Sequence, residues 1–242
     1  MKEQKEKISR FFGLVLLLAI AAVPQASLLG QKISEGRSIN VNEALNLNAL
    51  GINSEVQRIN SLLDAQAKFF KRSSELQKRS IVSPRDAVDI KNEGDLRKAD
   101  LVTIQREFES LVNKLKQGNH WDETFDAQVL NSLKSANART VVTQFGGARK
   151  VFQAAIESGP SLREDIDDEV RQVNSKQQGA LSRRSDRVFA AHAKPAAGKL
   201  GCNLLASYWL TASLVPGGDN LACIFADRYN DKGCTPRIGG CD

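Results

Sequence analysis

The residue types best suited to chemistry gather at one end of the chain. Cys202, Cys223, Cys234 and Cys241 all fall within the last 41 of 242 positions. An even, clustered set of cysteines is what a disulfide framework needs, and such bonds persist in oxidising compartments. The intervening gaps of 20, 10 and 6 residues contain no paired C-x-x-C spacing of the sort that closes a zinc tetrahedron. Cross-links are therefore expected, with no metal and no cofactor.

Other constellations are sought and not found. The chain has two histidines, His120 and His192. A hydrolytic triad needs a nucleophile, a base and an orienting acid in one place, and no G-x-S-x-G elbow surrounds any serine. His120 precedes Trp121-Asp122 and reads as a turn residue, while His192 lies among alanines at a helix end. Gly146-Gly147-Ala148-Arg149-Lys150 suggests a phosphate loop at first sight but lacks the G-x-x-x-x-G-K-[ST] spacing. Asp167-Asp168-Glu169 carries charge for a cation, yet consecutive helical residues point in different directions and would not converge on one ion. The expectation is a noncatalytic protein.

The elements that position these groups are helical. Val56, Ile59, Leu63 and Phe70 repeat at helical spacing, with Leu62, Phe69 and Leu76 beside them. Leu101, Ile104, Phe108, Leu111 and Leu115 form a near-heptad seam. Phe125, Val129, Leu133 and Ala136 continue the period, Val151, Phe152, Ala155 and Ile156 make a shorter piece, and Leu162 to Val188 outline a last long helix. The stretch Ile39–Val41 and Leu45–Asn48 reads as a short helix or extended arm. Ser83-Pro84 marks a helix start, with an N-cap oxygen followed by proline at the first helical position. Asp122 can cap the segment from Glu123, and Ser161-Leu162-Arg163-Glu164 has the form of a capping box. Gly94, Gly118, Gly146-Gly147 and Gly159-Pro160 are expected breaks. Acids over 161–173 and bases over 174–199 follow the helix dipole.

Residues 200–242 carry only seven charged side chains. Leu200–Val215 has none, Pro216-Gly217-Gly218 ends it, and Asp219 can cap a second helix over Asn220–Tyr229. A helical hairpin centred near Gly218 follows. Cys202 and Cys234 stand equally far from that centre, which favours the pairs Cys202–Cys234 and Cys223–Cys241 over sequential pairing. Leu205, Trp209, Phe225 and Tyr229 form its candidate apolar binding surface.

Ala222–Tyr229 resembles the active-site helix of secreted phospholipases A2, where a His–Asp pair follows a cysteine and a tyrosine comes after. Asp227 and Tyr229 fit, but Ala226 stands in the histidine position, and no glycine-rich calcium loop occurs over 201–215. The likeness covers eight residues and assigns no family; it implies at most a helical, disulfide-linked, noncatalytic relative.

The N-terminus reads as a targeting segment. A charged stretch, Lys2–Arg10, precedes the uncharged Phe11–Val23, and small residues follow at Ala26-Ser27. Thirteen residues rise about 20 Å as helix, short of the roughly 30 Å hydrocarbon core, as in a secretory signal. Cleavage is expected after Ala26 or Ser27; the alternative is an uncleaved anchor extended by Leu28-Leu29. Either way the remainder is exported: secreted, periplasmic or at the cell surface.

The expected architecture is all-α: a signal peptide (1–27), an N-terminal arm (28–50), an antiparallel helical bundle or extended helical array (51–194), and a small disulfide-stabilised hairpin module (195–242). A net charge of +6 with mixed signs throughout argues against a nucleic-acid partner. The leading functional expectation is binding or structural association with a protein or envelope component, self-association included. A carrier or sensor for a lipid or other apolar ligand is the alternative, and an enzyme of unfamiliar type the third.

Overall fold

A computed structural model of the chain describes residues 45–181 and 198–239, with the backbone alone over 178–181. The expected signal segment, Ile39–Val41, Val188, His192, the junction near Pro195 and Cys241 lie outside these residues. Among the described residues there are eight helices and no strand: α1 (Asn53–Lys78), α2 (Pro84–Gln117), α3 (Glu123–Ser132), α4 (Ala136–Gln144), α5 (Ala148–Ser158), α6 (Arg163–Leu181), α7 (Lys199–Ser213) and α8 (Asp219–Asp231). The all-α expectation holds.

The two longest helices form an antiparallel pair. Glu55 meets Lys114, Arg58 meets Glu107, Gln66 donates to the Arg97 carbonyl and Arg72 meets Glu93, so residue numbers rise on one helix as they fall on the other. Between them Val56, Ile59, Leu63, Leu101, Ile104, Phe108 and Leu111 are buried, which is the stripe read from the sequence. Ser83 accepts from the Asp86 amide, with Pro84 opening α2. Asp122 accepts from the Phe125 amide to start α3.

Four local expectations are corrected. Gly94 does not break α2, which runs straight through it. A Cβ there would stand 2.7 Å from a Val170 methyl and 3.4 Å from one of Ile166. The missing side chain lets α6 approach α2, and that packing offsets the roughly 1 kcal/mol glycine costs a helix interior. The Phe125-to-Ala136 period is split, because α3 ends at Ser132, Leu133 is extended and Ser135 caps the separate helix α4. The Ser161 capping box does not form. Leu162 supplies the first helical carbonyl, to Ile166, and the Ser161 hydroxyl, one residue too early, has no partner. Gly218, not Asp219, is the N-cap of α8, and Asp219 acts through its charge at the positive end of the helix dipole.

Helices α7 and α8 are the anticipated hairpin, antiparallel and joined by Cys202–Cys234 with Cα atoms 5.6 Å apart. The reversal depends on two glycines for different reasons. Gly217 sits at φ +79°, and a Cβ on Gly218 would lie 2.1 Å from the Ala212 carbonyl oxygen. The hairpin shares its core with the other helices. A row of rings runs from Phe225 through Tyr208, Phe108, Phe152 and Phe125 to Trp121, with successive centroids 5.4 to 6.4 Å apart. All the described residues, 45–181 and 198–239, belong to one compact unit.

Charged side chains tie α8 to this core. Glu169 on α6 accepts from Arg228 at 2.9 Å, from Ser73 at 2.8 Å and from Gln77. The Arg228 guanidinium lies 3.8 Å from the centroid of the Phe70 ring. Lys232 meets Asp165 at 2.6 Å. Burial pushes the Glu169 carboxyl up, but the Arg228 charge and the three hydrogen bonds outweigh it, and the carboxyl titrates below its ordinary value.

Candidate functional site

Three segments far apart in sequence, with Gly239 beside them, come together around a cleft of about 960 Å³. The first is the turn before α1. Asn46 accepts from the Ala49 amide, and the Ile52 amide closes back onto the Leu47 carbonyl. These bonds wind Leu47 and Leu50 inward and leave Asn46 and Asn48 exposed. The second is the α3–α4 link, where the Ser135 cap starts a new helix and Arg139 donates to the Leu133 carbonyl. The third is the tip of the hairpin, from the last turn of α7 through Pro216-Gly217 into α8.

The walls are mostly neutral. Asn46, Asn48, Asn53 and Asn220 provide amides, while Ser132, Ser135 and Ser213 provide hydroxyls. Apolar surface comes from Leu45, Leu133, Leu214, Val215 and Trp209. Among the described residues of the lining, Lys134 and Asp219, of opposite sign, are the only ionic side chains. The side chains of Asn48, Asn53 and Asn220 make no hydrogen bond among the described residues. Trp209 is only 4% exposed, and its indole N–H has no acceptor there either.

Of the four residues expected to form an apolar binding surface, Trp209 borders the cleft. Leu205, Phe225 and Tyr229 are buried in the core away from its lining. The Tyr229 hydroxyl donates to the Thr235 carbonyl, while the Tyr208 hydroxyl is sealed in with no partner. Burial, with the charge of Asp100 added, pushes the Tyr208 phenol far above its ordinary range, which removes it from acid–base work at neutral pH. Cys223, which lines the cleft, is disulfide-bonded, and Cys241, its expected partner, lies outside the described residues.

The groups that suggested chemistry are engaged elsewhere. Asp126 on α3 occupies the N-terminus of α5, accepting from the Arg149 amide at 2.8 Å and from Arg149 Nε at 2.7 Å. A carboxylate thus fills the place a phosphate would take at Gly147-Ala148-Arg149. Asp167, Asp168 and Glu169 turn to Lys98, Arg171 and Arg228 respectively. Asp227 is exposed, Ala226 is buried, and the hairpin sequence itself contains no histidine. Among the described residues no group of three or more potential metal ligands converges, and no helix is long and apolar enough to cross a membrane.

Sequence reasoning missed the cleft. Its neutral asparagines carry no motif, and only the tertiary fold joins residues 45–53, 132–138 and 209–223. No protein-family model, curated protein or solved structure matches the chain.

Proposed function

We propose that the chain is an exported, noncatalytic helical protein that acts by binding, with the cleft between the α1 entry turn, the α3–α4 link and the hairpin tip as its recognition site. The observation that carries this reading is the wall of unspent amide groups beside Trp209, whose side chain is almost buried and whose indole N–H makes no hydrogen bond among the described residues. Asn48 and Asn220 are exposed and Asn53 is half-buried, so the hydrogen-bonding capacity they hold in a concave surface is open to a ligand. The signal-like N-terminus and the clustered cysteines support export.

The uncharged Leu200–Val215 segment, which suggested a lipid carrier, has a sufficient role in the core: Leu204, Leu205, Tyr208 and Leu210 are buried there.

Photo-crosslinking in the native host tests the reading. A benzophenone side chain at Asn220, on the cleft rim, is expected to yield a discrete adduct, while one at the exposed Leu96 of α2 yields none. Adducts at Leu96 alone, or at neither position, would sink the cleft as the recognition site. Turnover in a hydrolase screen that is lost on Asp227→Ala would sink the noncatalytic part.

A further inference from the structure

We infer that the cleft takes an extended, uncharged peptide segment of a partner protein, held through its backbone carbonyls; this rests on the cleft being the recognition site.

The lining decides the class by its charge, its donors and its size. A strongly anionic or cationic ligand needs a field of one sign, and among the described residues of the lining Lys134 and Asp219 offer one charge of each. A lipid chain needs continuous apolar walls, but asparagine and serine interrupt these on all three segments. Peptide bonds supply both a donor and an acceptor per residue, as does each asparagine amide. The combination of a rigid, amphipathic tryptophan with asparagine, serine and glycine is also the chemistry by which binding loops recognise protein surfaces.

The donors specify the conformation. Trp209 is 4% exposed, and its indole N–H makes no hydrogen bond among the described residues and is not one of the sealed-off polar atoms, so the donor stays open to a ligand carbonyl. Asn53 and Asn220, from the starts of α1 and α8, flank it in the same cleft. Carbonyls that remain free to accept belong to a chain outside helix and sheet, and polyproline II leaves its whole backbone so. Strand addition is not the mode, because no sheet edge exists among the described residues. The cleft volume, about 960 Å³, stands at the upper end of the roughly 300–1,000 Å³ usual for ligand sites, as a multi-residue segment requires.

The test uses the full chain, disulfides intact, with end-capped, fluorescein-labelled octapeptides, each about 25 Å long as polyproline II. One set is built from Pro, Ala, Val, Leu, Ser and Thr; a second carries Glu or Lys at alternate positions. Fluorescence polarisation should find binders in the uncharged set and not in the charged one. Trp209→Phe keeps a ring but removes the donor, and should weaken binding about tenfold, the effect of one buried hydrogen bond left unmade. Asn220→Ala, on the exposed rim, should weaken it several-fold with the thermal midpoint unchanged, so the test survives should Trp209→Phe misfold. Peptide binding indifferent to both substitutions would overturn the assignment, as would preference for the charged set. Oleate is the separate arm. Oleate bound in place of peptide, and lost on Asn220→Ala, would overturn the peptide class and leave the cleft as a site. Failure of peptide and oleate alike would overturn the cleft reading itself.

Discussion

Glu169→Gln is expected to destabilise the protein by about 3 kcal/mol, because it strands the charge of Arg228. Glutamine retains the size of glutamate and can still accept from Ser73, so the substitution removes charge more than packing. The Arg228 side chain is 12% exposed, and its Nε and Nη2 have no hydrogen-bond partner. Breaking a buried pair by removing one member costs roughly 3–5 kcal/mol. The lower end applies here because the Phe70 face still attracts the guanidinium. Urea denaturation gives the loss, and a cycle with Arg228→Met isolates the pair. The double variant, with no stranded charge, should recover most of the stability, leaving a coupling energy of about 2 kcal/mol. The pH dependence has a fixed sign. The carboxyl titrates below its ordinary value in the folded protein, so its contribution is fully present above the unfolded value of about 4.3 and is lost as pH falls through the folded value. The gap between wild type and Glu169→Gln should therefore narrow on acidification. A loss below about 0.5 kcal/mol, the range of ordinary surface changes, with no coupling to Arg228, would refute the assignment of Glu169 as the anchor of α8.

Other substitutions test particular contacts. Cys202→Ser opens a link spanning 32 positions, and the chain-entropy model gives a loss of roughly 3–4 kcal/mol, readable as a lowered urea midpoint. Gly94→Ala should destabilise by about 1–2 kcal/mol despite alanine's better helix propensity, since the new methyl meets Val170; Gly94→Ala with Val170→Ala should be less destabilised than the sum of the two single changes in the same denaturation assay. Asp126→Ala should cost about 2 kcal/mol, as it removes both a cap and an arginine partner, whereas Ser161→Ala, at an unpartnered hydroxyl, should leave the midpoint within about 0.5 kcal/mol of wild type. Burial raises the Asp100 carboxyl titration against the opposing pull of Arg97, so Asp100→Asn should stabilise at neutral pH, with the gain fading as acid neutralises the wild-type carboxylate.

What the sequence made legible is what short spacing controls. The stripes at Val56–Phe70 and Leu101–Leu115 follow from helical period, Ser83 and Asp122 from local capping, and the Cys202–Cys234 bond from equal distance to a glycine turn. Ser161 and Leu133 show the limit of such patterns. A capping box one residue out of register is silent in composition, and an apolar period cannot reveal that the backbone turns extended at Leu133. Asp126, Gly94 and Glu169 act across 21 to 96 positions, on Gly147, on Val170, and on Ser73 and Arg228 respectively, where no local rule reaches. The cleft belongs to the same class. Each of its asparagines, taken alone, is an ordinary turn or helix-start residue, and only their assembly around Trp209 distinguishes them.

Amide hydrogen exchange of the full chain, with and without a bound uncharged octapeptide, tests the central claim most directly. The account predicts slowed exchange confined to 45–53, 132–138, 209–223 and the neighbourhood of Gly239, with Asn220→Ala reducing the effect at the three main segments together. Slowed exchange elsewhere, or none at any of the three under saturating peptide, would contradict it.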